Sequence, residues 1–164
     1  MSAGKADAPG AVPGLGMLDD TVDAEFEEGE YIIRIRIPSR ADRLRLVRTV
    51  VSEAAFASGC SDPCARDMVI AVDEACQNVI RHAYGGAPDG DISLEIRRAG
   101  DRLVFSLVDF AAPVDVDAVK PRSLDEVRPG GLGTHFITEC MDEAGFRPPP
   151  AGAGNCLWMT KKIE

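Results

Sequence analysis

From Tyr31 onward apolar residues recur at every second position. Ile33, Ile35 and Ile37 face one way and Arg34 and Arg36 the other, the pattern of a half-buried strand, which Pro38 ends. The period then lengthens. Across residues 41–58, Leu44, Val47, Val51 and Ala54 share one stripe while Arg45, Arg48 and Glu53 lie away from it, which predicts an amphipathic helix closed by Gly59. Asp62 before Pro63 predicts the next helix start, with the carboxylate as N-cap and a proline whose missing N–H costs nothing in the first turn. That helix runs to about residue 84, where Gly85 and Gly86 stop it. Two alternating segments, 91–97 and 102–109, joined through Ala99-Gly100-Asp101, predict a β-hairpin. Residues 110–129 hold Pro113, Pro121 and Pro129 and predict a loop, and a loop of that length inside a domain reads as a functional lid. A helix over about 134–144 and a strand over 155–163 complete the chain. Strand, helix, helix, hairpin, lid, helix, strand predicts an α+β fold: a two-layer sandwich with a mixed sheet and helices on one face.

Charge changes the picture at the N-terminus. The chain of 164 residues, enough for one domain, has 18 Lys and Arg against 27 Asp and Glu, a net of −9. Residues 1–30 hold eight acids and one lysine, a net of −7, so the remaining residues carry only −2. Residues 1–16 are mainly Ala, Gly and Pro, and the first 30 residues read as a flexible acidic tail ahead of a domain over 31–164. Residues 17–30 alternatively add a short element at the domain edge. With no block of lysine or arginine, the chain lacks an electrostatic grip for nucleic acid. No run approaches the ~18–20 apolar residues of a membrane span, and no basic start and apolar middle mark a signal peptide. No membrane partner and a cytoplasmic location are therefore expected. Cys60, Cys64, Cys76, Cys140 and Cys156 never form a Cys-x-x-Cys pair and read as free thiols.

Three segments carry candidate chemistry. On the second helix Val69, Val72, Cys76, Val79, Ile80 and Ala83 form an apolar arc, and Glu74, Asn78, Arg81 and His82 gather on the other side, Glu74 and Asn78 one turn apart. Taken alone, that face is equally a solvated one. Gly130, Gly131 and Gly133, with Arg128 upstream and Leu132 among them, precede a helix near Thr134, where bare N–H groups favour phosphate; such a run is otherwise only a turn. Asp109 closes an apolar strand, placed either to accept a hydrogen bond from an exocyclic amine or to form a strand-end turn.

Glu74-Ala-Cys-Gln-Asn78-Val-Ile-Arg81-His82-Ala-Tyr84, Asp109-Phe-Ala-Ala-Pro113-Val-Asp115 and Gly130-Gly-Leu-Gly133 resemble, in order and spacing, the motifs of the histidine-kinase-like (GHKL) ATPases. The likeness is greatest to the stand-alone anti-sigma factor serine/threonine kinases of bacteria, and it covers about residues 31–163. The resemblance implies a sandwich of the Bergerat type that uses ATP and Mg²⁺. It makes Glu74 the general base, Asn78 the Mg²⁺ ligand and Asp109 the reader of adenine. Arg81 and His82 face the phosphates, as do Gly130, Gly131, Leu132, Gly133 and Thr134, with Arg128 close by. Residues 112–129 form the lid, and Thr160 supports the aspartate. Where the family has glycine two residues after that aspartate, this chain has Ala111, which crowds the base if the backbone there needs positive φ. Arg48, with Arg45 behind it, matches the partner-contacting arginine of the first helix. The implied protein is a homodimer that grips a sigma factor and phosphorylates an anti-anti-sigma antagonist. The rival expectation is a nucleotide-gated binding module without phosphotransfer. A sensor histidine kinase is disfavoured, since no helix with a phospho-accepting histidine precedes Tyr31; His135, just inside the last helix, reads as partly buried.

Overall fold

The structure, a computed structural model, describes residues 15, 29–113 and 133–164. Strand β1 (Glu30–Pro38) leads through a 3-10 turn (Ala41–Arg43) into α1 (Leu44–Ala57) and then α2 (Asp62–Asn78), which continues as a π-helical turn (Val79–Ala83). β2 (Asp91–Ala99) and β3 (Arg102–Asp109) form the hairpin, and α3 (Gly133–Cys140), β4 (Glu143–Arg147) and β5 (Asn155–Lys162) follow. Two boundaries differ from those the pattern predicts. Ser61, not Asp62, is the N-cap of α2: its hydroxyl accepts the Cys64 N–H at 3.5 Å, and Asp62 is the first helical residue. α3 ends at Cys140 because the chain turns there into β4, a strand the alternation did not reveal. Only five residues long, β4 has Gly145 at its centre, which faces Trp158 across the ladder.

The five strands lie in the order β1-β2-β3-β5-β4, and every described pairing is antiparallel, where a mixed sheet was expected. The reason lies in the crossover. The chain from β3 through α3 delivers β4 in the same direction as β3, and β5 then inserts between the two, antiparallel to both. No parallel neighbours remain among the described strands.

α2 packs between α1 and α3, and the three helices cover one face of the sheet. Val47 and Val51 of α1, Met68 and Val72 of α2, and Ile137 of α3 meet Ile96, Phe105, Leu107 and Met159 from the strands. Burying such side chains contributes about 1.5–3 kcal/mol each against leaving them in water. Register fixes which strand residues share this face. Ile37 pairs with Ile92, Ile92 with Asp109, and Asp109 with Asn155, so Asp109 and Asn155 lie on the helix side. On the other face, Arg34 and Arg97 both bond the buried carboxylate of Glu95, and Trp158 is 1% exposed.

Of the expected acidic tail, only Leu15, Gly29 and Glu30 are described. Leu15 is not free of the domain but is 4% exposed and joins the core, and Glu30 already belongs to β1. All five cysteines are free thiols, as expected, and burial pushes the Cys76 thiol up to about 12, which leaves it inert. Among the described residues no helix is long and apolar enough to cross a membrane.

Candidate nucleotide site

α2 presents the polar face that the spacing predicts. Glu74 is partly buried, and Arg81, two turns further on, donates from Nη2 to Glu74 Oε1 at 3.1 Å and from Nε to the Gln77 carbonyl at 3.4 Å. Asn78, between them, is only 4% exposed, yet its side chain forms no hydrogen bond among the described residues. Its carbonyl oxygen suits a hard cation, and it fits Mg²⁺ that keeps phosphate oxygens and water as its other ligands. Among the described residues no cluster of three His, Cys, Asp or Glu side chains offers a separate metal site. His82 is exposed beyond Arg81.

The helix does not end as a simple α-helix. Through the π-helical turn, the Tyr84 N–H reaches the Val79 carbonyl, five residues back, at 3.1 Å, and the Gly86 N–H reaches Ile80 at 2.8 Å. Such turns recur at functional sites because they re-aim the residues that follow. Here the residue re-aimed is Tyr84, whose hydroxyl accepts the Phe110 N–H at 2.8 Å. The helix that carries Glu74 and Asn78 thus meets the strand end that carries Asp109.

Asp109 is 5% exposed. Its Oδ1 accepts Asn155 Nδ2 at 2.9 Å and the Ala111 N–H at 3.0 Å, while Oδ2 has no partner among the described residues. Burial pushes the carboxyl above the ordinary aspartate value, although these two donors pull the other way. One carboxylate oxygen is thus committed to the protein, and the other is open among the described residues. Gly154 completes the turn: its N–H donates to the Asp109 carbonyl at 2.9 Å, and a Cβ there would stand 1.7 Å from the Ala111 carbonyl oxygen. Among the described residues none other than glycine has positive φ, so Ala111 sits in backbone that any side chain tolerates.

Thr160 does not support Asp109. It pairs with Val104, five positions along the ladder from Asp109, on the opposite face of the sheet, and its hydroxyl donates to the Leu103 carbonyl at 3.1 Å. Asn155, which pairs directly with Asp109, takes that role; nothing in the sequence marks it until the β3–β5 register is known. Gly133 opens α3, and Thr134 is buried in its first turn. Arg128, Gly130, Gly131, Leu132 and most of the expected lid, 114–129, lie outside the described residues. His135 is exposed rather than partly buried, with Nε2 3.0 Å from Glu139 Oε1.

The two candidate partner arginines differ. Arg48 is tethered, Nη1 donating to Asp73 Oδ1 at 2.8 Å, with Gln77 on the other oxygen at 2.8 Å. Arg45 makes no side-chain bond among the described residues and borders a shallow groove of about 450 Å³ with Asp42, Arg43, Leu46 and Thr49. Arg45 is therefore the more available of the two.

Known proteins resemble this chain along most of its length. It is 28% identical over 140 residues to the serine-protein kinase RsbW of Bacillus subtilis strain 168, covering 80% of this chain and 86% of that one. With the RsbW of Listeria innocua serovar 6a the identity is 31% over 119 residues, covering 68% and 76%. The crystal structure of the RsbU and RsbW domains of Rv1364c from Mycobacterium tuberculosis shares the fold, with a TM-score of 0.56 at 18% identity over 80% of this chain and 31% of that one. Residues 37–161, from the end of β1 to the end of β5, match the histidine kinase-like ATPase domain, and the chain belongs to that family.

Proposed function

We propose that the chain is an ATP-dependent protein serine/threonine kinase of the anti-sigma type, a homodimer that binds a sigma factor and phosphorylates an anti-anti-sigma antagonist. The observation that carries the reading is the half-committed carboxylate of Asp109, buried on the helix side of the sheet that α2 covers with Glu74 and Asn78. The kinase names of the similar proteins support the same reading.

Asp109 Oδ2 accepts an adenine N–H and fixes the base. The Asn78 carbonyl oxygen would hold Mg²⁺, which would supply charge neutralisation at the phosphates. Glu74 takes the proton from the attacking serine or threonine hydroxyl as its oxygen bonds the γ-phosphorus and the bond to ADP breaks. Arg81 holds the Glu74 carboxylate in place and keeps further N–H groups for phosphate oxygens.

One observation favours the rival reading of a nucleotide-gated module. Arg81 already bonds the Glu74 carboxylate at 3.1 Å, so one of its oxygens is occupied before any hydroxyl arrives. ATP titrations with and without Mg²⁺, on the wild type and Asn78→Ala, together with transfer from labelled ATP to an antagonist, test both. The kinase reading expects metal-dependent binding that Asn78→Ala abolishes, with transfer to a serine or threonine. Tight ATP binding without transfer establishes the module, and unchanged metal dependence in Asn78→Ala removes Asn78 from the site.

A further inference from the structure

Tyr84 ends the π-helical turn of α2, and its side chain is the one described link between that helix end and the tips of two central strands. Its hydroxyl donates to the Asp91 carbonyl at 2.6 Å and accepts the Phe110 N–H at 2.8 Å. Asp91 opens β2, and Phe110 follows Asp109. The last register pair of β2 and β3 is Ile92 with Asp109, so Asp91 and Phe110 would be the next pair. The phenol oxygen stands between the donor of one strand and the acceptor of the other, in place of the direct ladder bond. β3 therefore leaves the sheet at Phe110, and the chain folds back so that the Ala111 N–H reaches Asp109 Oδ1.

The ring is held as firmly as the hydroxyl. A Cβ on Gly90 would stand 2.4 Å from the ring, so only glycine lets the tyrosine lie there. Gly90 is in turn fixed by Ser39: the Ser39 N–H donates to the Gly90 carbonyl at 2.7 Å, and the Gly90 N–H donates to Ser39 Oγ at 3.1 Å. Ser39 Oγ also donates to the Ala87 carbonyl at 2.6 Å. The loop after α2 is thus pinned on both sides, and the phenol has one position available to it.

We propose that Tyr84 is a positioning residue for base recognition: by bonding Phe110 and Asp91 it sets the strand-end turn that aims Asp109 Oδ2 at the adenine amine. It touches neither phosphate nor metal, and it acts through Asp109. The inference rests on the reading of Asp109 given above. Its signature is loss of base selectivity rather than loss of phosphate binding.

The test is Tyr84→Phe, which keeps the ring against Gly90 and removes both hydrogen bonds. ATP and GTP affinities are measured by calorimetry on the full chain beside thermal melting, and exchange of the Phe110 amide is followed by NMR. ATP affinity is expected to fall about 10-fold with GTP affinity unchanged, so that the preference for ATP collapses, and the Phe110 amide exchanges faster. Gly90→Ala, which displaces the ring from its seat, should narrow the preference in the same sense and serves if Tyr84→Phe does not fold. Retention of the ATP preference within twofold, whatever happens to Tm, makes Tyr84 a structural residue only and overturns the inference. Wild-type protein that binds ATP and GTP equally overturns the reading of Asp109 and this inference with it. A wild type that discriminates beside a Tyr84→Phe variant that still does overturns the inference alone.

Discussion

Asn155 Nδ2 lies 2.9 Å from Asp109 Oδ1, across a register pair of β3 and β5, and also donates to the Ala112 carbonyl at 3.1 Å. One amide therefore holds both the carboxylate and the chain just beyond it. Asn155→Ala leaves Asp109 with the Ala111 N–H alone. Removing the donor of a buried charged hydrogen bond costs about 1.5–3 kcal/mol. The expected outcome is a weakening of ATP binding of about 10-fold or more, measured by calorimetry, with a lower Tm. Thr160→Val, at the position the resemblance assigns to this role, should leave ATP binding unchanged.

Asp109 itself predicts a trade between stability and binding. Its folded pKa is raised, chiefly by burial. The folded state therefore holds this proton more tightly than the unfolded chain, and stability from the group is full at low pH and lost as pH rises through the folded value. Above that value the buried charge costs stability. Asp109→Asn should raise Tm at pH 7, with the gap to wild type closing as the buffer is acidified and Asp109 takes up its proton. The same variant puts an N–H donor where the adenine amine needs an acceptor, and ATP affinity should fall about 10- to 100-fold. A variant that melts no higher than wild type at pH 7 contradicts the burial cost.

How far the fold and the site were legible depended on whether the signal was local. The amphipathic stripe of α1, the Glu74 to Tyr84 face of α2 and the β2–β3 hairpin are written in near-neighbour patterns, and each was legible. β4 was not. Gly145 breaks its alternation, and its pairing with β5 is fixed by Trp158, thirteen residues on. Thr160 was misread and Asn155 overlooked for one reason. Both lie on β5, and which of them meets Asp109 is a matter of strand register, set by the packing of Leu157 and Met159 opposite Leu107 and Phe105.

The departure at Ala111 has a direct test. Ala111 does not have positive φ, so its methyl group meets no backbone strain and Ala111→Gly should gain no measurable ATP affinity. It should lower stability by about 0.4–1 kcal/mol through the added freedom of the unfolded chain. Gly154 is the glycine this turn requires. With a Cβ 1.7 Å from the Ala111 carbonyl oxygen and 2.8 Å from its carbon, Gly154→Ala must move backbone. Both melting and ATP titration should register it, with a loss of about 1–3 kcal/mol in stability and a weaker nucleotide complex.

The pairing of Glu74 with Arg81 sets the last expectation. If Glu74 is the base, Glu74→Gln keeps a hydrogen-bond acceptor for Arg81 Nη2 while removing the proton acceptor. ATP affinity should stay near wild type while transfer to an antagonist falls about 10²–10⁴-fold, the range typical of a lost general base. Arg81→Ala removes the bond that positions the Glu74 carboxylate and, on the same reading, a phosphate contact. ATP affinity measured beside transfer separates the two roles. Transfer that falls well beyond any loss of ATP affinity assigns Arg81 to positioning Glu74. An equal loss of both assigns it to phosphate alone and leaves Glu74 independent of it.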